Sequence, residues 1–274
     1  MIDRELIKRA LAEDLQGGED ITSVATVSGD EKVVADFVSR KAGVIAGIAM
    51  AKAVLEEVGL TDIDVLIHDG ESVQAGQVLM TVRGDTRAIL LAERTALNFL
   101  GHLSGIATLT RRWVDAISGT RCQIRDTRKT TPGMRLLEKY AVRMGGGTNH
   151  RISLSDAALI KDNHIAAAGG VAAAFSKVRE KFPSSEIEIE VDTLDQLREV
   201  LPLKPDLVLL DNMSPAQCAE AVAIVAGATK LEASGGISME NARAYAETGV
   251  DYLAIGALTH SAPVFDIGLD LRAE

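Results

Sequence analysis

The chain has 274 residues, of which 47% are hydrophobic and 25% charged, and its formal net charge is −10. This length allows one large α/β domain or two moderate domains. The acidic balance argues against nucleic acid or an anionic membrane as the main partner. No apolar run approaches the roughly 18 residues of a membrane span, and the amphipathic N-terminus lacks the apolar core of a signal peptide. Because only two cysteines occur, we expect no disulfide framework and a cytoplasmic location.

The first hundred residues predict a small, mostly antiparallel sheet covered by helices. Short segments rich in β-branched residues and bounded by Gly or Asp are predicted strands, at 33–40, 43–50, 63–68 and 77–83. Helices are predicted near 3–14 and 49–58, and a longer apolar-periodic helix at 86–117. We expect Gly101 and Gly105 to break or bend that long helix.

Residues 68–79 (HDGESVQAGQVL) resemble the turn pattern of biotinyl and lipoyl carrier domains. No lysine follows at a hairpin tip to accept a cofactor, so we interpret the pattern as two glycine turns between strands.

From about residue 120 the chain alternates short apolar strands with helices. The predicted strands are 122–126, 157–161, 187–191, 207–211, 230–234 and 252–255. This alternation predicts parallel strands joined by right-handed crossovers, and apolar strands indicate a sheet covered on both faces. Six such units are fewer than the eight of a complete barrel. We therefore predict an incomplete or modified α/β barrel.

The last five predicted strands each finish in a polar or glycine-containing group. These groups are Lys161, Glu190, Asp211, Ser234-Gly235-Gly236 and Gly256-Ala257. Because the carboxyl ends of parallel barrel strands converge on one mouth, we expect the groups to face a common cavity. The two glycine turns predict a phosphate site, since backbone N–H groups are accessible there.

Glu190 and Asp211 predict a hydrated Mg²⁺ site, a contact to ribose hydroxyls, or a structural salt bridge within the barrel. We expect no zinc site, because no His/Cys cluster has the spacing of transition-metal ligands.

A basic island lies between residues 121 and 164, where nine Lys or Arg residues accompany four acids. Such an island in an acidic protein indicates either a focused anion site or a solvated helix face. Arg128 and Arg151 can each clamp a carboxylate with two hydrogen bonds, whereas Lys129 and Lys161 act as point charges. His150 can donate to an anion or remain neutral as a hydrogen-bond partner.

The basic island carries a family resemblance. Residues 125–151 (RDTRKTTPGMRLLEKYAVRMGGGTNHR) and 153–165 (SLSDAALIKDNHI) resemble the signature region of quinolinate phosphoribosyltransferases, also called carboxylating nicotinate-nucleotide pyrophosphorylases. The similarity continues in ALAEDLQGGEDITS, AERTALNFLGHLSGIAT, EIEVD, LLDNMSP, LEASGGI and AIGALTHSAP, in chain order. One departure is Ser153, where the family pattern has glycine.

The resemblance implies an α/β enzyme with an N-terminal α/β sandwich domain over 1–108 and an incomplete, six- or seven-stranded α/β barrel over 109–274. It implies the reaction of quinolinate with phosphoribosyl pyrophosphate (PRPP), with Mg²⁺, to give nicotinate mononucleotide, pyrophosphate and CO2. It also implies a homodimer or hexamer.

The resemblance further implies the roles of individual residues. Quinolinate would be bound by Arg128, His150, Arg151 and Lys161, with Arg94 from a neighbouring subunit. Lys129 would contact PRPP, while Glu190 and Asp211 would hold ribose and hydrated Mg²⁺. The 5′-phosphate would lie against Ser234, Gly235, Gly236, Gly256 and Ala257.

Two other functions fit parts of the sequence. A paralogue of the kind found with molybdate transport genes would use another base, but Arg94, Arg128, Arg151 and Lys161 together suit a dicarboxylate better. A catalytically silent barrel could act as a sensor of phosphorylated metabolites. The retention of Lys161, Glu190 and Asp211 argues against a sensor.

Overall fold

The computed structural model describes residues 2–272, which form two compact units. Among the described residues, unit 1 consists of 2–111, 136–146 and 261–272, and unit 2 of Arg112–Arg135 and Gly147–His260. The first change of unit, after Arg111, lies near the predicted boundary at 108. Two later segments, which the sequence alone assigned to the barrel, belong instead to unit 1.

Unit 1 is built on a four-stranded antiparallel sheet in the order β12-β1-β5-β3. Its strands are β1 (Lys32–Ser39), β3 (Asp62–Val65), β5 (Val78–Asp85) and β12 (Ile267–Arg272), and a separate pair joins β2 (Gly43–Val44) to β4 (Ser72–Val73). Pairing with β1 explains why the C-terminal segment belongs to this unit. Ion pairs reinforce that pairing, with Arg272 Nε 2.8 Å from Asp36 Oδ2 and Arg40 bonded to Asp270.

The helices of unit 1 begin where the sequence provides caps. Asp3 and Asp20 accept backbone hydrogen bonds at the first turns of α1 (Arg4–Leu15) and α2 (Ile21–Thr26). Helix α3 (Ile48–Glu57) follows a glycine in the left-handed region. Helix α5 (Arg135–Met144) comes later in the chain.

Helix α4 (Thr86–Ala116) is continuous for 31 residues, so the predicted break at Gly101 and Gly105 is wrong. A Cβ at Gly101 would lie 2.9 Å from the carbonyl oxygen of Phe265, and one at Gly105 would overlap that of Pro263. The two glycines therefore allow the C-terminal segment to approach the helix closely.

Unit 2 contains six parallel strands in the order β6-β11-β10-β9-β8-β7. Strands β6 and β7 are the edges, so this is an incomplete α/β barrel, as predicted. The strands are β6 (Gln123–Arg125), β7 (Ala158–Ile160), β8 (Ile187–Val191), β9 (Leu207–Asp211), β10 (Lys230–Ser234) and β11 (Tyr252–Ala254). All six lie within one or two residues of their predicted positions.

Helices connect the strands of unit 2. They are α6 (Asp162–Ala168), α7 (Val171–Lys181), α8 (Leu194–Val200), α9 (Pro215–Val225), α10 (Ala242–Ala246) and α11 (Ala257–His260). Thr193 and Ser214 form capping boxes with glutamines at the starts of α8 and α9. These caps fix where the chain turns after β8 and β9, next to the polar strand ends.

Both cysteines are buried, unpaired thiols. Burial raises the pKa of Cys122 to about 12 and that of Cys218 to about 11. The thiolate form is therefore scarce at neutral pH, and neither residue is a reactive nucleophile. In the described part of the chain, no helix combines the length and apolar character required to cross a membrane.

Candidate active site

A cavity of about 350 Å³ lies at the carboxyl ends of the strands of unit 2. This volume is within the usual range of small-molecule sites. Its polar lining includes Arg128, Lys129, His150, Arg151, Lys161, Glu190, Asp211 and Ser234, all of which were predicted from the sequence. Leu159, Leu209 and Ala254 supply an apolar part of the wall. The geometry thus brings the cationic and anionic predictions together in one place.

Two guanidinium groups at the cavity have unmet hydrogen-bonding capacity. The Nε atoms of Arg128 and Arg151 are buried and have no hydrogen-bond partner within the described chain. Arg151 Nη1 donates to the carbonyl of Ala157 at 2.9 Å. Burial, together with repulsion from Arg128, lowers the pKa of Arg151. An anion with several acceptor oxygens would satisfy both guanidinium groups and relieve their repulsion.

Two carboxylates face the same cavity from adjacent strands. Glu190 lies in β8 and Asp211 ends β9. Burial raises the pKa of Glu190, and the charge of Asp211 raises it further, while Lys161 opposes both effects. Lys161 Nζ lies 3.7 Å from Glu190 Oε2. Two neighbouring carboxylates with incomplete compensation form a suitable oxygen donor set for a hydrated divalent cation.

A glycine turn follows β10. Gly235 and Gly236 have φ angles of +85° and +63°, a region in which glycine avoids the strain of a Cβ. The amide of Asn241 closes the turn, because its Nδ2 donates to the Gly236 carbonyl at 3.0 Å and its Oδ1 accepts from Ser238 N at 2.8 Å. Ser234, which precedes the turn, lines the cavity directly.

Gly256, which precedes α11, allows a second close approach. A Cβ there would lie 3.1 Å from Lys129 Cδ and 3.2 Å from His260 Nε2. Thr259 Oγ1 donates to the Lys129 carbonyl at 2.7 Å and so fixes the Lys129 loop against α11. The sequence analysis missed His260, although it directly follows the Gly256-Ala257-Leu258-Thr259 segment.

Asp126 joins the end of β6 to the loop that carries His150 and Arg151. Its carboxylate is buried and accepts from His150 N at 2.8 Å and from Asn149 Nδ2 at 2.6 Å. The sequence analysis assigned this residue no role. In the structure it holds two basic segments of the cavity wall next to each other, although more than twenty residues separate them in sequence.

His150 lies deeper than Arg151 and is 7% exposed. Its Nε2 lies 2.7 Å from Glu188 Oε2, and its Nδ1 accepts the backbone N–H of Arg151 at 2.8 Å. Both ring nitrogens therefore have protein partners. Through these contacts His150 supports Arg151. A direct hydrogen bond from His150 to a substrate would require one of the two contacts to break.

The comparisons with known proteins agree with this arrangement. A model of the quinolinate phosphoribosyl transferase N-terminal domain matches residues 20–104, and one of the C-terminal domain matches residues 106–270. The chain is 54% identical over 274 residues to the nicotinate-nucleotide pyrophosphorylase [carboxylating] of Mycobacterium leprae, covering 98% of this chain and 96% of that one. A probable nicotinate-nucleotide pyrophosphorylase [carboxylating] of Bacillus subtilis is 40% identical, with 98% and 93% covered.

The chain belongs to the quinolinate phosphoribosyltransferase family. Solved structures also support this family assignment. The nicotinate-nucleotide pyrophosphorylase from Ehrlichia chaffeensis has a TM-score of 0.94 at 41% identity, with 98% of each chain covered. The enzyme of that name from Francisella tularensis has a TM-score of 0.92 at 39% identity, with 98% of this chain and 95% of that chain covered.

Ser153 departs from the glycine of the quinolinate phosphoribosyltransferase pattern, and the structure explains why serine fits. Its backbone is outside the left-handed region, where a side chain would be strained. Ser153 N donates to Asp156 Oδ1 at 2.9 Å, and Ile152 N donates to Asp156 Oδ2 at 2.6 Å. Although burial acts in the opposite direction, these bonds lower the pKa of Asp156 to about 2.

Arg94 lies on α4, in unit 1. Its side chain is 67% exposed, with a guanidinium nitrogen 4.0 Å from Glu93. Its role in the quinolinate site, contributed by a neighbouring subunit, stays a prediction.

Two further buried acids, of which Glu232 lines the cavity, were not predicted from the sequence. Glu188 and Glu232 are buried, and burial raises the pKa of each to about 7. Arg125 Nη1 lies 2.8 Å from Glu232 Oε2. The two-residue period of a β-strand is the sequence pattern that could have identified these acids. It places Glu188 on the same face as Glu190, and Glu232 on the same face as Ser234.

His150, Glu188 and Glu232 have ligand atoms within 4.8 Å of one another, a spacing that could hold a metal ion. Cationic side chains already neutralise this group. Arg125 pairs with Glu232, and Arg151 acts electrostatically on Glu188. We therefore interpret the group as a buried ion-pair network that supports the cavity floor.

Glu232 predicts a pH dependence of stability. Its folded pKa of about 7 exceeds its ordinary value of 4.5, so between these pH values the folded chain binds more protons than the unfolded chain. The contribution of Glu232 to the free energy of unfolding therefore falls as pH rises through this window and is constant above it. Glu232→Gln should remove this contribution and make the profile less steep.

Urea unfolding of the wild type and Glu232→Gln, from about pH 5 to about pH 8, measures the difference. The exposed Glu220→Gln is the matched control and should leave the profile unchanged. Parallel wild-type and Glu232→Gln profiles would contradict the assignment of a raised pKa to Glu232.

Proposed function

We propose that this chain transfers the phosphoribosyl group of PRPP to quinolinate and releases CO2, giving nicotinate mononucleotide and pyrophosphate. This is a phosphoribosyltransferase step of NAD biosynthesis. The observation that carries the proposal is the pair of half-buried arginines, Arg128 and Arg151, whose buried Nε atoms lack partners beside an anion-sized cavity. The relatives' names describe carboxylating pyrophosphorylases, which run the same chemistry.

Quinolinate would bind at the cationic side of the cavity. Its two carboxylates need several donors in a fixed arrangement, which Arg128 and Arg151 supply through planar guanidinium groups. Lys161, whose side chain is half exposed, adds a movable point charge. His150 contributes by fixing the backbone of Arg151. The apolar wall suits the faces of the pyridine ring.

PRPP would bind across the strand ends. Lys129 contacts its diphosphate, and Glu190 and Asp211 hold the ribose hydroxyls. The 5′-phosphate would lie against the backbone of Ser234, Gly235 and Gly236 on one side and of Gly256 and Ala257 on the other. The glycines of the two turns carry no side chains of their own that would cover these backbone N–H groups.

Mg²⁺ is the proposed cofactor, held by Glu190 and Asp211 through water. These residues fit such an ion, because they are adjacent carboxylates, and burial together with the charge of Asp211 raises the pKa of Glu190. The ion supplies charge neutralisation for the departing pyrophosphate.

The residues of the cavity account for the order of charge changes in the reaction. Both substrates are polyanions, so Arg128, Arg151, Lys129 and Lys161 must screen their repulsion before they meet. As pyrophosphate leaves, C1′ becomes positively charged, and Glu190 and Asp211 stabilise that charge. The pyridine nitrogen bonds to C1′ as the bond from C1′ to pyrophosphate breaks. The bond between ring carbon C2 and CO2 then breaks, its electron pair stays on C2 beside the cationic nitrogen, and C2 takes up a proton from water to give nicotinate mononucleotide. No enzyme nucleophile is required.

The proposed assembly is a homodimer or a higher multiple in which Arg94 of a second copy completes the quinolinate site. The exposure of Arg94 and its weak contact within its own chain support this arrangement. We further propose that the enzyme is cytoplasmic.

Release of CO2 tests the function directly. The purified chain with Mg²⁺, PRPP and carboxyl-labelled quinolinate should release one CO2 for each nicotinate mononucleotide formed, and nicotinate in place of quinolinate should give no product. A paralogue with another base would turn over neither acid, and a sensor would bind PRPP without turnover. Failure to release CO2 from quinolinate would refute the proposal.

A further inference from the structure

The residue after Asp211 has an unusual backbone conformation. Asn212 has a φ angle of +52°, in the left-handed region, which asparagine tolerates better than most residues that carry a side chain. Its N–H donates to the carbonyl of Ser234 at 2.8 Å, so the end of β9 is tied to the end of β10. This bond places Asn212 between the two strand ends proposed to hold PRPP.

The side chain of Asn212 also contacts both strand ends. Its Nδ2 donates to Asp211 Oδ2 at 2.7 Å, which fixes one oxygen of that carboxylate. On the other side, a Cβ at Gly235 would lie 2.6 Å from Asn212 Cγ, so the amide occupies the space that a side chain would need. A glycine at position 235 is therefore required if the amide is to remain bonded to Asp211.

Through these contacts the Asn212 amide connects Asp211 to the Gly235–Gly236 turn. Asp211 is proposed to hold the ribose and Mg²⁺, whereas Gly235 and Gly236 are proposed to hold the 5′-phosphate. The distance between ribose and 5′-phosphate is fixed within PRPP, so the two protein groups must keep a constant separation. Preorganised sites require their binding groups to be held in position within a few tenths of an ångström.

We propose that Asn212 is a positioning residue that aligns the Asp211 carboxylate with the Gly235–Gly236 turn, and so sets the enzyme's affinity for PRPP rather than for quinolinate. This inference rests on the proposed function. Asn212 acts through Asp211 and the turn, and it takes no part in bond making or breaking.

Two substitutions distinguish the effect of the Asn212 side-chain amide from that of its left-handed backbone conformation. Asn212→Gly keeps the left-handed conformation without strain but removes the amide. Asn212→Asp keeps the shape but replaces the donor with a second carboxylate next to Asp211. The matched control is Lys204→Gly, because exposed Lys204 also has a positive φ angle, of +56°, and precedes β9 at the opposite end of the sheet.

Two measurements test the inference. Titration calorimetry in the presence of Mg²⁺ gives the dissociation constant of PRPP, and steady-state kinetics gives the KM of each substrate. Loss of a hydrogen bond to a charged group should weaken PRPP binding by about tenfold in Asn212→Gly and by more in Asn212→Asp. The KM for quinolinate should stay within about twofold, and the Tm of Asn212→Gly should match that of Lys204→Gly.

Wild-type affinity for PRPP in Asn212→Gly would overturn the inference. So would equal weakening of both substrates with a lowered Tm, because that pattern indicates a general structural role. Failure of the proposed function has a different result, since the wild type itself would then release no CO2 from quinolinate and PRPP, whatever the affinity of the Asn212 variants for PRPP.

Discussion

Lys161→Ala should reduce kcat/KM for quinolinate by about a hundredfold to a thousandfold and leave the fold intact. The ammonium group lines the cavity together with Arg128, Arg151, Glu190 and Asp211, where charge is proposed to develop and disappear. The Lys161 side chain is half exposed in its 3.7 Å ion pair with Glu190, whose side chain is 12% exposed. Such pairs contribute only about 0–1 kcal/mol to stability, so activity and stability should separate cleanly.

Steady-state kinetics and a thermal melt of the same preparation measure both effects. Lys161→Met provides a second variant, because it keeps the apolar stem of the side chain and removes only the charge. Lys181→Ala, at the end of α7, is the matched control and should retain wild-type kinetics. Retained activity in both Lys161 variants would remove the residue from the proposed site.

The sequence predicted the position of Lys161 for a simple physical reason. Parallel strands buried on both faces form continuous apolar runs, and the polar residue that ends each run lies at the carboxyl edge of the sheet. Six strands and most of the cavity lining followed from that rule and from the family resemblance. The rule operates within single βα units, so it requires no knowledge of distant contacts.

Distant contacts account for what the sequence did not predict. The glycines in α4 appeared to be helix breakers because their partner, the segment around Phe265, lies more than 150 residues away in the chain. Strand β12 was missed as part of the first sheet for the same reason. Glu188 and Glu232 were overlooked inside apolar strands, since only the folded sheet shows that Arg125 and His150 compensate their charges.

Arg125→Met should lower the free energy of unfolding by about 1–2 kcal/mol near pH 8, because Glu232, whose wild-type pKa is about 7, takes up a proton rather than stay charged without its partner. The Arg125 side chain is 15% exposed, stacks 4.4 Å from the ring centroid of Tyr252, and pairs with Glu232, which is fully buried. Methionine would fill similar space but leave Glu232 without its guanidinium partner and beside Glu188. An uncompensated buried carboxylate is far more costly than the loss of an exposed ion pair.

Arg198→Met is the matched control, because Arg198 pairs with Asp195 and Glu220 at exposed positions. Urea unfolding should show a loss of about 0–1 kcal/mol for this variant. The double variant Arg125→Met/Glu232→Gln should recover part of the loss, since it removes the stranded charge along with its partner. Equal losses for Arg125→Met and Arg198→Met would show that Glu232 carries no charge that needs Arg125.

The pH dependence of the Arg125→Met loss distinguishes charge from packing. Without Arg125 the pKa of Glu232 rises further above its ordinary value, because the guanidinium charge lowers it in the wild type. At acidic pH both proteins carry a neutral Glu232, so the stability difference should shrink as pH falls below about 7. A difference that stays constant with pH would assign the loss to the stacking on Tyr252 instead. The buried network would then act through packing, and Arg125 would be held without electrostatic support from Glu232.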